Sequence, residues 1–408
     1  MSYNQLMNSF EKLSLMGQYM HFEPAEEVGN LSTAPTPGLP ACPVDAFGPV
    51  QTLKSGACTP ADLPIEHAHL PGGKTMPLLK TLLTSACERN CYYCAFRSGR
   101  DFRRTSFTPD EMGQTFMKIY RAGVAQGIFL SSGVVGGGMR TQDRLIAAAE
   151  ILRRKLGYTG YLHLKIMPGA EQAQVERAMQ LADRVSINLE APTTEHLARL
   201  APQKVFLEEL LTPLRWVDQI RRSQPGIKGW NGHWPSSVTQ FVAGGAGETD
   251  LELLQTSEYL HHKLRLARVY FSGFAPVPDT PLEGQAPINP WRTHRLYQAD
   301  FLLRDYGFGV EDLPFAASGS LPLDTDPKLA WARANLASQP VEINQADLHE
   351  LMRIPGIGPH GARVVLQARH QNRIRGIEDL KALGVSAQRA APFILMDGRA
   401  APTQLALF

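Results

Sequence analysis

Between residues 77 and 274, short apolar or β-branched runs alternate with longer amphipathic segments, and no other property of this chain restricts its fold so tightly. The short runs fall at 78–84, 128–132, 161–167, 184–190, 238–242 and 269–274, with helical patterns between them at 109–126, 142–156 and 171–182. Repeated strand and helix is the signature of βα units joined into a parallel sheet. Six such strands predict an α/β fold of the incomplete TIM-like kind, a partial (βα)6 barrel. Its chemistry belongs at the C-terminal ends of the strands, where the βα loops gather.

The loop that follows the first strand reads Cys-Glu-Arg-Asn-Cys-Tyr-Tyr-Cys and places Cys87, Cys91 and Cys94 three and then two residues apart. Thiolates at this spacing can wrap three corners of a [4Fe-4S] cube, one protein ligand short of the usual four. The fourth iron is then open to a small molecule, as a reactive centre requires. A zinc site is the competing reading. Zinc usually takes four ligands, often as two separated pairs, and with no second C-x2-C pair the completion would come from His67 or His69. Five cysteines is an odd number for a disulfide framework, and Cys42 and Cys58, outside the triad, read as ordinary thiols.

The C-x3-C-x2-C pattern resembles the radical S-adenosylmethionine (radical SAM) superfamily. The resemblance implies that the amino and carboxylate groups of SAM fill the open iron site. An electron from the cluster then cleaves SAM to methionine and a 5′-deoxyadenosyl radical, which takes a hydrogen from the substrate. Cys87, Cys91 and Cys94 become the metal ligands and catalytic centre, and Tyr93 matches the aromatic position that lies against the adenine. Ser131, Ser132 and Gly133, in the run Ser-Ser-Gly-Val-Val-Gly-Gly-Gly, stand where the family has its GGE motif for the SAM amino group, although no glutamate is present. A plain glycine turn into the helix near Gln142 is the alternative, and no P-loop lysine follows.

Alternation along the fourth strand puts Ser186, Asn188 and Glu190 on one face. Polar groups inside a barrel must be hydrogen-bonded or face a ligand; in the family, polar residues here bind the SAM ribose and carboxylate. Gly244 lies in a segment similar to the family's glycine stretch beside the adenine, while Glu248, Thr249 and Asp250 also read as a helix start. His163 and Lys165 share a face of the third strand, toward substrate or in a structural role. Arg97, Arg100, Arg103 and Arg104 follow the cysteines and either contact a nucleic-acid backbone or steady the loop.

Four segments are expected: an N-terminal extension over 1–75, partly irregular and proline-rich at 34–49; the partial barrel over 76–275; a helical extension or linker over 276–340; and an all-α domain over 341–400. In the last, one amphipathic helix stops at Ile354-Pro355-Gly356-Ile357-Gly358 and another begins at once. This resembles a helix-hairpin-helix module, a motif for sequence-independent DNA binding. Gly356 and Gly358 permit a tight turn, and amides at the second helix's N-terminus can hold a phosphate. Asn344 and Asp347 supply capping, and Leu351, Ile354, Ile357, Ala362 and Val365 supply packing. A degenerate second copy follows at 380–390, with Ser386 replacing the second glycine. Between 351 and 399 there are eight Lys or Arg against three Asp or Glu, an excess suited to phosphate contact. Gly356, Gly358, His360, Arg363 and Lys381 are the candidate DNA-binding residues, with Arg353, Arg369 and Arg373 as further cations. Protein docking is the other use of such hairpins.

The two modules together resemble radical SAM proteins with a C-terminal helix-hairpin-helix domain that are described as DNA modification or repair enzymes. The expected cofactors are a [4Fe-4S] cluster and SAM, and the expected partners are DNA and an electron donor such as flavodoxin or ferredoxin. Alternatives are an RNA or protein substrate, or a non-catalytic iron-sulfur DNA-binding factor. No charged start followed by an apolar run opens the chain, and no run approaches the ~18 apolar residues of a membrane span. A cytoplasmic location is therefore expected, in line with few cysteines among 408 residues. The formal net charge of +2 adds little.

Overall fold

The computed structural model describes residues 7–18, 20, 63–69, 74–225 and 229–400. Cys42, Cys58, the proline-rich stretch and most of the expected N-terminal extension lie outside the described residues. The chain divides into two compact units, one holding the described residues up to 248 together with 259–290, the other 249–258 and 291–400.

In the first unit the strands are β1 (Ile65–His69), β2 (Thr75–Leu82), β3 (Gly127–Ser131), β4 (Tyr161–Lys165), β5 (Arg184–Ser186), β6 (Ser236–Ala243) and β7 (Arg268–Gly273). They form one sheet in chain order, β2 to β7 parallel throughout and β1 antiparallel to β2. The six expected strands are all present, and β1 adds a seventh. Its sequence, Ile-Glu-His-Ala-His, lacks an apolar run because it is an edge. Glu66 on β1 pairs at 2.7 Å with Lys80, which is almost completely buried in β2, so the edge strand neutralises a charge inside the sheet.

The helices are α1 (Ser9–Gly17), α2 (Pro109–Arg121), α3 (Gly138–Glu150), α4 (Gln172–Leu181), α5 (Thr194–Leu200), α6 (Thr212–Ser223) and α7 (Asp250–Leu264), whose residues 250–258 belong to the second unit, with π-helical turns at Ile151–Lys155 and Phe206–Leu211. Their starts follow from local chemistry. Asn8 with Glu11 and Thr108 with Glu111 form capping boxes, and Pro109 occupies the first turn of α2. Leu79, Ile128, Leu164 and Val185 of the strands and Phe116, Leu145 and Val175 of the helix layer are all buried in the core.

The second unit contains α8 (Pro290–Asp305), α9 (Pro327–Asn335), α10 (Leu348–Arg353), α11 (Pro359–Gln371), α12 (Ile377–Ala382) and α13 (Ala387–Ala390). A small sheet of β8 (Val341–Glu342), β9 (Ile394–Met396) and β10 (Arg399–Ala400) accompanies them. Two-residue strands carry no period that a sequence could display. The expected packing residues Leu351, Ile354, Ile357, Ala362 and Val365 are all buried in one cluster with Leu380, Val385, Ala390 and Phe393. Asp347 caps α10 in a capping box with Glu350, whereas Asn344 ties the chain to Ile374 through both its amide oxygen and nitrogen.

Candidate functional site

Thr84 and Ser85, just past β2, anchor the start of the cysteine loop through Thr105 and Ser106, with Thr84 Oγ1 2.6 Å from Ser106 Oγ and the Ser85 amide donating to the Thr105 carbonyl at 2.9 Å. The loop itself is irregular, so its carbonyls need donors from elsewhere. Arg104 supplies them, donating to the carbonyls of Ser85, Phe96, Arg97 and Arg100 at 2.8–3.2 Å while lying over the Phe102 ring. Arg100 donates to Ala95 and Pro278. Of the two uses expected for the arginine group, these two residues perform the steadying one.

Gly133 approaches the same loop from the end of β3. Its amide donates to the Thr84 carbonyl at 2.8 Å, and a Cβ there would lie 2.1 Å from the Ala86 carbonyl oxygen. Beside it the Glu88 amide donates to Val134 O at 2.8 Å, and the Val134 amide points at Cys87 Sγ at 3.4 Å. The Phe96 amide makes the matching contact to Cys94 Sγ, also at 3.4 Å. Amide donors aimed at sulfur suit thiolates that carry charge, and hydrogen bonds of this kind tune an iron-sulfur centre.

The glycine run continues to α3 in a way that sequence reasoning missed. Glu88 turns its carboxylate onto the amides of Gly136 and Gly137, at 2.9 and 3.0 Å, where the N-terminus of α3 favours negative charge. An acid placed between the first two cysteines was the available signal. Positive φ at Gly136 and Gly137 lets both amides face it.

Cys87, Cys91, Tyr93, Cys94, Ser131, Ser132, Gly133, Asn188 and Glu190 line one cavity of about 140 Å³, together with Met20, Lys165, Lys204 and Gln240. Ser186 and Gly244 are not among its lining residues. β5 ends at Ser186, so the period-two register that grouped Ser186 with Asn188 and Glu190 lapses after it. Gly244 instead faces Ile288, 3.0 Å from its would-be Cβ, and its amide is taken by Glu248. His163 is buried with its ring 4.6 Å from that of Phe129.

Glu190 holds φ of 66°, a left-handed conformation unusual for a residue with a Cβ, while its amide and carbonyl bridge to Gln240 and Val242 on β6. Its carboxylate, itself buried, pairs at 2.9 Å with the nearly buried side chain of Lys204. Strain of this kind is kept where surrounding structure over-determines it, as at binding sites. Burial pulls the Lys204 ammonium down, but Glu190 and the nearby thiols of Cys91 and Cys94 outweigh it and hold the net shift upward. Burial, then the Glu190 charge, pushes the Tyr93 hydroxyl up. Lys204 was not foreseen because it stands fourteen positions from its partner in an unremarkable loop.

Burial also pushes the thiols of Cys91 and Cys94 up, so neither ionises readily by itself; a bound metal reverses this by taking the thiolate. Among the described residues, no three His, Cys, Asp or Glu side chains converge to hold a single ion, and His67 is exposed on β1. A soft all-sulfur donor set, amides directed at two of the sulfurs and a close backbone crossing at Gly133 suit a [4Fe-4S] cube.

In the second unit, Gly356 turns with φ of +85° and Gly384 with φ of +74° at the tips of the two hairpins, α10–α11 and α12–α13. The Ser386 amide donates to the Gly356 carbonyl at 3.2 Å, joining the tips. His360, Arg363 and Lys381 are exposed. Four of the expected phosphate cations already have partners, Lys381 among them through Glu378 at 2.7 Å. Arg353 pairs with Asp312 and lies over Phe308 and Trp331, Arg369 donates to the carbonyls of Ile343 and Ala346, and Arg373 pairs with Asp397. An arginine count cannot distinguish a guanidinium spent on carbonyls from one that faces solvent.

Residues 81–260 match the family described as the Radical SAM superfamily, and residues 337–385 match the helix-hairpin-helix motif. No protein of curated function matches the chain in sequence. Among solved structures it is similar to methylornithine synthase (PylB), with 17% identity and a TM-score of 0.44 over 56% of this chain and 61% of that one. It is also similar to the FeFe-hydrogenase maturase HydG from Carboxydothermus hydrogenoformans, with 16% identity and a TM-score of 0.43 over 56% and 51%. A third is the radical S-adenosylmethionine methyltransferase TsrM from Kitasatospora setae, with 13% identity and a TM-score of 0.37 over 51% and 39%. The chain thus spans between 39% and 61% of the length of these structures. No described helix is long and apolar enough to cross a membrane.

Proposed function

We infer that this chain, which carries a radical SAM domain over residues 81–260 and a helix-hairpin-helix motif over 337–385, is a radical SAM enzyme acting on DNA, in modification or repair. The observation that carries the reading is the convergence of three thiols, the Ser131–Gly133 turn and the Glu190–Lys204 pair on one cavity at the C-terminal ends of parallel strands. When bound, the cluster and SAM supply one-electron cleavage and a carbon radical that abstracts hydrogen.

The protein's own share is binding and orientation. Cys87, Cys91 and Cys94 would hold the cluster, and Arg104 and Glu88 fix the loop that presents them. Lys204 offers a cation to the SAM carboxylate, Glu190 an acceptor to its amino or ribose groups, and Tyr93 a face for the adenine. Ser131, Ser132 and Asn188 complete the polar lining, and Lys165 stands where a substrate phosphate or carbonyl would enter. Flavodoxin or ferredoxin is the electron donor the chemistry requires.

DNA is favoured over other substrates by the paired hairpins, whose Gly356 and Gly358 leave amides open at the start of α11, with His360, Arg363 and Lys381 exposed nearby. Reconstituted protein is incubated with SAM, reductant and duplex DNA carrying deuterated nucleosides. Deuterium in the released 5′-deoxyadenosine is the expected result. Deuterium that appears only when labelled RNA or protein replaces the DNA refutes the substrate assignment.

A further inference from the structure

The hairpin unit needs a cation for phosphate binding, and of the five arginines within the motif Arg353, Arg369 and Arg373 are engaged elsewhere. Lys328, in the first turn of α9 and outside the matched motif, has the geometry they lack. Its ammonium donates to the carbonyl of Ile357, at the tip of the first hairpin, at 2.6 Å, and lies 4.6 Å over the Tyr306 ring. The neighbouring acid does not pair with it. Asp326 caps the Leu329 amide with one oxygen and holds Arg389 at 2.7 Å with the other. One carbonyl satisfies one of the three ammonium donors. Burial pushes the Lys328 ammonium down to about 7, with Asp326 opposing and Arg389 assisting.

A cation held in a part-buried position without its own carboxylate is costly unless an anion completes it. The same turn offers further anion donors. Gly358 is the N-cap of α11 and brings no side chain, so the amides of the first turn are uncapped. Tyr306 Oη lies 3.2 Å from where a Cβ on Gly358 would stand, so a side chain there would crowd the Tyr306 hydroxyl. Arg389 reaches the tip from the second hairpin, its Cβ 3.0 Å from the would-be Cβ of Gly356.

Resting on the DNA-binding reading above, we propose that Lys328 is a phosphate-contacting cation of the first hairpin. The Ile357 carbonyl fixes its ammonium beside the uncapped amides of α11, so that a nucleic-acid backbone phosphate is gripped by both. Nothing in this grip reads a base, and the contact is independent of sequence.

The test is fluorescence anisotropy of the full-length protein with a short labelled duplex across a KCl series, comparing wild type with Lys328→Met and Lys328→Arg. The expected result is a loss of about tenfold in affinity for Lys328→Met with a salt slope lower by about one contact, and retention of the slope in Lys328→Arg. Wild type that binds no duplex refutes the DNA reading itself. Duplex binding that is equal in wild type and Lys328→Met, in both affinity and slope, overturns the assignment of Lys328 alone. Thermal stabilisation of the wild type by inorganic phosphate, without duplex binding, overturns the nucleic-acid source. Lys328→Gln repeats the comparison should the methionine variant lose its fold, which far-ultraviolet circular dichroism reports.

Discussion

Gly133→Ala is a one-carbon change whose consequence can be worked from the structure. The φ of Gly133 is not positive, so its backbone is open to any residue, and the only obstacle is steric. A Cβ would stand 2.1 Å from the Ala86 carbonyl oxygen, where ordinary contact begins at 3.4 Å, so the turn after β3 and the cysteine loop must part by about 1.3 Å (3.4 less 2.1). Neither neighbour can yield as a flexible side chain does, because the contact is with backbone. Parting breaks the hydrogen bonds of Gly133 to Thr84 and Glu88 to Val134, each 2.8 Å, and withdraws the Val134 amide from Cys87 Sγ. Two backbone hydrogen bonds at about 1 kcal/mol each, with about 1 kcal/mol of overpacking, give a loss of about 3 kcal/mol. Urea unfolding of the apoprotein measures this, and iron content per chain after anaerobic reconstitution measures the displaced sulfur. The comparison is Gly157→Ala, at φ of +67° with open space around it, which should lose about 1 kcal/mol from backbone strain and keep its iron. Full iron loading in Gly133→Ala, with stability equal to Gly157→Ala, would refute the close crossing as the element that sets the loop.

Removing the Glu190 carboxylate by Glu190→Gln leaves the Lys204 ammonium buried without its partner, and a destabilisation of about 3–5 kcal/mol is expected in urea unfolding. The double variant Glu190→Gln/Lys204→Met should recover most of that stability while SAM affinity, read by calorimetry on reconstituted protein, stays low. Recovered SAM binding would show the pair to be structural only. Lys328 gives a pH prediction whose sign follows from its lowered value, about 7 folded against 10.5 unfolded. Between those values the unfolded chain binds more protons, so stability should rise with pH across that window. Lys328→Met should flatten the rise in a series of urea midpoints, with Asp326, Arg389 and Tyr306 left in place; an unchanged profile would place the titrating group elsewhere.

The parts of this account legible in the sequence are those coded by local spacing. The triad Cys87, Cys91 and Cys94 sits within eight residues, the six parallel strands each carry an apolar run, and Gly356 and Gly358 punctuate an amphipathic helix pair. What escaped is pairing across distance or departure from period. Glu66 meets Lys80 only because β1 folds back antiparallel, and Glu190 meets Lys204 only after the chain has made α5. Ser186 was grouped with Asn188 and Glu190 by extending a strand that in fact ends at Ser186, and Glu190 then turns to positive φ. The sequence makes Arg353 a phosphate cation and leaves Arg104 with two uses, because composition records charge and not its partner. Lys328 was overlooked for the converse reason, being a single lysine outside every motif.

Cys87, Cys91 and Cys94 would hold a cluster that supplies the electron for SAM cleavage. Anaerobically reconstituted protein, given SAM and a strong reductant with no other substrate, should release 5′-deoxyadenosine, and Cys91→Ala should release none. Wild-type protein that carries a full complement of iron and sulfide, yet forms no 5′-deoxyadenosine, would contradict the account at its root.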